Sequence, residues 1–150
     1  MPNSMSIVDI TGKPETYRMA RAEGKIRLRE QTIRRIREGR IEKGDPFQTA
    51  KIAAIMAAKK TSSIIPLCHP IPITHIEVDL RILDDRTVGA EATVKTKAQT
   101  GVEMEALAAV SVALLTVWDM TKQYEKDEEG QYPETAIMDV RVTRKVKGAT

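Results

Sequence analysis

Asp119 and Lys122 stand three residues apart, the spacing at which two side chains on a helix share one face. A carboxylate near a helix C-terminus faces the negative end of the helix dipole, which raises its pKa, while a neighbouring lysine lowers it. Two opposed influences on one carboxyl group suit proton transfer. The same two residues also read as a plain surface ion pair, and local sequence leaves both readings open. Glu103 and Glu105 precede the same segment. On a helix they would diverge by roughly 200°, whereas in an extended stretch after Gly101 they would point into one pocket.

Other residues carry chemistry singly. His69, in Leu67-Cys68-His69-Pro70, lies in a proline-stiffened loop that would fix its ring for ligand binding or proton transfer, or for a purely structural role. Lys43 directly precedes a helix start at Asp45-Pro46, where unpaired amides and the dipole favour an anion, so it could hold a phosphate or shuttle a proton. Asp45 itself reads as an N-cap. Cys68 and His69 are adjacent and no second Cys/His cluster has ligand spacing, so no metal site is expected. His75 is assigned no role. Basic residues at Arg18, Arg21, Lys59, Lys60, Arg141, Arg144, Lys145 and Lys147 are too scattered for a nucleic-acid stripe, yet sufficient for several contacts to a triphosphate.

The elements that position these groups follow from periodicity. Ala106 to Trp118 is apolar except for Ser111 and Thr116, so a helix there must be enclosed, and thirteen residues are too few to span a bilayer. Lys25 to Leu28 alternates as a strand, and Gln31 to Glu38 forms a short helix ending at Gly39. A second helix runs from Pro46 through Lys60 with an almost wholly apolar interior from Ile52 to Ala58. Prolines 66, 70 and 72 exclude helix from residues 62–72. Residues 76–82 and 88–94 alternate as a hairpin turning at Asp84-Asp85, one face packed and one wet. A last strand spans about Ile137 to Val146, with Met138, Val140 and Val142 on one face. The order predicts an α+β fold of the ferredoxin-like split βαβ type with an extra helix, its antiparallel sheet covered by helices. Two nearly all-apolar helices exceed what one sheet face covers, which predicts a homo-oligomer.

The 150 residues are 41% hydrophobic and 30% charged with a net charge of +3, which fits one domain over 1–150, with residues 1–7 and 125–135 expected to be flexible. One Trp, three Tyr and one Phe weaken any base-stacking model, and a ferredoxin-like RNA-binding module lacks aromatic platforms on strands 76–82 and 88–94. A lone cysteine and no charged-then-apolar signal segment point to the cytoplasm.

Taken together, VDITGKPETYRMARAEGKIRL, KGDPFQTAKIAAIMAAKKT, IPLCHPIPIT, QTGVEMEAL and VWDMTK resemble the cyclic pyranopterin monophosphate synthase (MoaC) family of molybdenum cofactor biosynthesis. The resemblance runs from about Val8 to Lys126 and resumes more faintly in the last strand. It implies a ferredoxin-like subunit assembled as a hexamer of three dimers, with an intersubunit active site and no nucleic-acid or membrane partner. It also implies a phosphorus-oxygen lyase that rearranges 3′,8-cyclo-7,8-dihydroguanosine 5′-triphosphate to the pyranopterin, closing a cyclic phosphate and releasing pyrophosphate. By the same resemblance Lys43, Asp119 and Lys122 match the acid/base set. Leu67, Cys68 and His69 match a substrate-contacting loop, Glu103, Met104 and Glu105 a ring-binding segment, and Arg18 and Lys145 phosphate-binding cations. No cofactor is implied, and whether Mg²⁺ accompanies the triphosphate stays open. Gln99-Thr100 stands where many relatives carry lysine, and the RVTRKVKGAT ending and the acidic EKDEEGQYPE loop also depart from the usual pattern. Finally, a helix between the glutamates and the Asp119/Lys122 pair would separate them by about 20 Å or more, which turns one candidate site into a demand for two chains.

Overall fold

The computed structural model describes residues 4–149, so part of the stretch 1–7 expected to be flexible lies outside the described residues. Four 12-residue strands, β1 (Thr16–Arg27), β2 (Ile73–Asp84), β3 (Thr87–Ala98) and β4 (Ala136–Lys147), form one antiparallel sheet in the order β2-β3-β1-β4. Between β1 and β2 come α1 (Glu30–Arg37), α2 (Pro46–Lys59) and α3 (Thr61–Ile64), and between β3 and β4 comes α4 (Glu103–Glu125). That is the split βαβ plan the periodicity predicts, with two short helices beyond the pair α2 and α4.

β1 begins nine residues before the stretch Lys25 to Leu28 in which alternation is visible. Its inward positions Ala20, Ala22 and Gly24 are too small to register as an apolar stripe, although Ala20 and Ala22 are fully buried. Small residues are required because α4 crosses there. A Cβ on Gly24 would come within 2.8 Å of Leu114 Cδ1 and 2.9 Å of Val110 Cγ1. The hairpin of β2 and β3 turns where expected, with the Arg86 amide donating to Asp84 Oδ1 at 2.8 Å.

α2 starts as its sequence dictates, Asp45 Oδ1 accepting from the amides of Phe47 (2.9 Å) and Gln48 (3.3 Å) and Pro46 occupying the first turn. The exclusion of helix after Lys60 needs correcting: α3 adds one turn before the first proline, tied back by the Thr61 hydroxyl to the carbonyls of Ala57 and Ala58. In β4, Met138 does not share a face with Val140 and Val142. Asp139 takes a left-handed φ of 57°, and the register with β1 slips between Glu23 and Lys25. This bulge pairs Met138 with the outward Lys25 and turns Val140 toward Gly24 and the helices.

The 23 residues of α4 exceed the thirteen apolar ones, and by length and composition alone α4 could cross a membrane. Its burial, not its length, marks it as a core helix: Ala109, Val110, Ala113, Leu114 and Val117 are fully buried against the sheet and α2. The α2 side of that contact is Ala50, Ala54 and Ala58, small enough to let the two helices approach closely. α4 ends on a fully buried carboxylate. Glu125 accepts from the Arg29 amide (3.0 Å), the Thr135 hydroxyl (2.6 Å) and the Thr32 hydroxyl, joining the start of α1 and the approach to β4 to the last turn of α4. No local pattern announces this residue, because its partners come from two other segments, the start of α1 and the approach to β4.

Candidate active site

The C-terminal end of α4 carries a carboxylate between two ammonium groups. Asp119 Oδ2 lies 3.1 Å from Lys43 Nζ and Oδ1 lies 3.2 Å from Lys122 Nζ, while Lys43 also donates to the Asp119 carbonyl at 3.2 Å. Lys122 arrives by helical spacing. Lys43 arrives from the loop between α1 and α2, which the packing of α2 on α4 brings alongside. The hydrogen bond from Lys43 first, and that from Lys122 second, hold the Asp119 carboxyl below the usual carboxylate range. The opposing rise that the helix dipole alone suggests is therefore overruled by a second lysine remote in sequence. All three side chains remain open to solvent, Asp119 at 58%. Asp119 is thus an ionised proton acceptor with a donor on either side.

At the other end of α4 a second set gathers. Because α4 is already helical at Glu103, Glu103 and Glu105 diverge rather than sharing a pocket. Glu103 folds back over Gly101, where any Cβ would collide with its carboxylate, and pairs with Lys145 Nζ at 3.5 Å. Glu105 turns inward to 2% exposure, its Oε2 4.0 Å from Cys68 Sγ and its Oε1 without a hydrogen-bond partner among the described residues. Burial, augmented by the charge of Glu103, pushes the Glu105 carboxyl up, and burial followed by the charge of Glu105 does the same to the Cys68 thiol.

The sign for stability follows directly. A carboxyl with a raised folded pKa binds its proton more tightly in the native state, so its contribution is lost as pH rises through its ordinary value of 4.5 toward the folded one. Glu105→Gln is therefore expected to raise the melting temperature at pH 7.5. At about pH 4, with the native carboxyl protonated, that gain disappears; scanning calorimetry at the two pH values measures it.

Arg18 is buried, with Nε donating to the Ala98 carbonyl and Nη2 to the Gln99 carbonyl, each at 3.3 Å, and among the described residues it makes no ion pair. Lys145 pairs in register with Ala20, two residues on from Arg18, so both cations lie on the helix-covered face. His69 Nε2–H donates to the Val8 carbonyl at 2.7 Å. Leu67 and Met104 are exposed at 47% and 40%. Arg18, Cys68, His69, Glu103, Glu105 and Lys145 therefore belong to one end of α4, and Lys43, Asp119 and Lys122 to the other. Sixteen residues of helix at about 1.5 Å each put some 24 Å between Glu103 and Asp119.

Sequence reading missed what holds each end in place. Gln99, noted only as a departure from lysine, anchors the N-terminal segment by donating to the carbonyls of Ile10 (3.3 Å) and Lys13 (2.9 Å). Tyr124 and Gln123 hold Glu42, next to Lys43, by hydrogen bonds of 2.9 Å each. Neither residue lies in a recognisable pattern, since both contacts cross from α4 to a loop some eighty positions away. Among the described residues, no three His, Cys, Asp or Glu side chains converge as a metal-binding group.

The chain is an α+β protein of ferredoxin-like plan whose core helix carries a carboxylate between two ammonium groups at one end and two carboxylates beside Lys145 and Cys68 at the other, a class of fold in which ionisable groups gather at helix ends. Residues 7–148 match the MoaC family, and the chain belongs to it. It is 57% identical over 141 residues to a probable cyclic pyranopterin monophosphate synthase accessory protein of Methanothermobacter thermautotrophicus, covering 94% of this chain and 88% of that one. Similarity to probable cyclic pyranopterin monophosphate synthases is 56% identity in Methanosarcina acetivorans (95% and 89% covered) and 53% in Sulfolobus acidocaldarius (94% and 98% covered).

Proposed function

We propose that this chain is a cyclic pyranopterin monophosphate synthase of molybdenum cofactor biosynthesis, a lyase that converts (8S)-3′,8-cyclo-7,8-dihydroguanosine 5′-triphosphate to cyclic pyranopterin monophosphate and pyrophosphate. Family membership and relatives of that name support the activity. The observation in the chain itself that carries it is Asp119 held between Lys43 and Lys122. Rearranging the purine-derived ring requires protons to be taken up and delivered at successive atoms, and an ionised carboxylate flanked by two ammonium groups provides an acceptor and two donors within one cluster. Closing the cyclic phosphate concentrates negative charge at the phosphates, which Arg18 and Lys145 neutralise. Leu67, Cys68, His69, Glu103, Met104 and Glu105 contact the ring portion, the unpartnered Glu105 Oε1 being an acceptor in need of a donor. The triphosphate enters with or without its own Mg²⁺ as substrate, and the protein contributes no resident cofactor.

The two ends of α4 form one site only across a subunit boundary, so the enzyme is a homo-oligomer, a hexamer built as a trimer of dimers. Supporting this, Ile52 and Met56 on α2 and Leu115 on α4 stand 63%, 51% and 56% exposed, apolar surface that a second copy would cover. The enzyme works in the cytoplasm, without nucleic-acid or membrane partners. Supplying the purified protein with the cyclised nucleotide is expected to yield pyrophosphate and the pyranopterin in equal amounts; formation of neither would overturn the assignment.

A further inference from the structure

Lys43 meets Asp119 from a loop, and a long lysine on a loop has many places to go. Two adjacent residues in the last turn of α4 restrict it. The Glu42 amide donates to the Tyr124 hydroxyl at 2.9 Å, and Gln123 Nε2 donates to Glu42 Oε2 at 2.9 Å. Tyr124 is itself held, the Arg35 guanidinium lying 4.4 Å from its ring centroid and Arg35 Nη1 donating onward to the Arg40 carbonyl of the same loop. The turn of helix that follows Asp119 therefore also grips Glu42, the residue immediately before Lys43, by its amide and its side chain.

We propose that Tyr124 is a positioning residue whose hydroxyl, through the Glu42 amide, sets the approach of Lys43 to Asp119. This rests on the reading of Lys43, Asp119 and Lys122 as the proton-transfer cluster, but the positioning itself is measurable without turnover. The charged groups facing Asp119 are Lys43 from the loop and Lys122 from its own helix, while Glu42 is engaged by Gln123 and Arg35 by Tyr124. Tyr124→Phe keeps the ring and its stacking and removes one hydroxyl, and water replaces it at the exposed Glu42 amide, so the fold persists.

The test is a double-mutant cycle on the whole protein, combining Tyr124→Phe with Lys43→Ala and read two ways. In turnover, Tyr124→Phe is expected to lower kcat about tenfold with KM changed less than about twofold, the size of effect that a small misplacement of a reacting group produces. In the Lys43→Ala background the same change is expected to add almost nothing, because the group it positions is gone. In carboxyl-carbon NMR, the Asp119 titration is expected to move up toward the ordinary carboxylate range in Tyr124→Phe and in Lys43→Ala, with no further movement in the double variant. An unchanged Asp119 titration in Tyr124→Phe, or an equal loss of kcat with and without Lys43, would overturn the positioning role. Full turnover in Lys43→Ala, with the Asp119 titration shifted as expected, would instead overturn the catalytic reading and leave the positioning intact.

Discussion

Lys122→Ala is expected to lose turnover by about 10²–10⁴-fold, the range typical for removal of a positioned acid or base, while the protein stays folded. The reason for the asymmetry is exposure. The Lys122 and Asp119 side chains are 42% and 58% open to solvent, so as a structural ion pair, screened by water and salt, they contribute little to stability. In the proposed proton-transfer role, Lys122 has no substitute as a donor to Asp119 except Lys43, already committed to the other oxygen. Pyrophosphate release followed by a coupled assay, with a thermal melt beside it, measures both quantities. Turnover within about twofold of the unaltered protein would reduce the pair to surface electrostatics. Asp119→Asn should match it, since removing the acceptor disables both donors together.

The second large effect concerns the division of the site. If one end of α4 from each of two chains makes a site, Lys122→Ala and His69→Ala chains, each strongly impaired alone, rescue one another when refolded or co-expressed together. Random pairing leaves both halves intact in about one site in four, so about a quarter of normal turnover is expected from an equal mixture, far above the sum of the two residual activities. A mixture that shows only that sum would place the whole site within one chain. The about 24 Å of rigid helix between Glu103 and Asp119 argues against such a site, because no side chain spans that distance.

Much of this arrangement could be read from residues alone where the signal was local. Asp45-Pro46 marked the start of α2, alternation marked β2 and β3, and the i, i+3 spacing put Asp119 and Lys122 side by side. The reading weakened where small residues replaced large ones. β1 was visible only at its last turn of alternation because Ala20, Ala22 and Gly24 make room for Leu114 and Val110, and a stripe of alanine and glycine has no apolar contrast. It failed in β4, where one residue in a left-handed conformation at Asp139 moved Met138 to the other face. The α4 start was ambiguous for a related reason: Val102 caps it without any side-chain hydrogen bond, so no capping residue announced that Glu103 and Glu105 were already helical and therefore diverging.

The sequence by itself determined the types of the main elements, α3 excepted, the strand order that follows from them, the enclosed helix and the identities of the ionisable groups. Each of these depends on neighbours within one or two turns, and on a hydrophobic period that a chain carries wherever it folds. Only the tertiary structure decided what those groups meet. Lys43 reaches Asp119 across 76 positions, Glu105 turns to Cys68 across 37, and Tyr124 grips Glu42 across 82. These contacts exist because α2 and α4 pack closely through alanines and because the sheet fixes where each loop ends. A pairing between residues so far apart leaves no periodic trace in either segment, so the direction of the Asp119 shift follows from packing, whereas the distance between the two ends of α4 follows from the length of the helix alone.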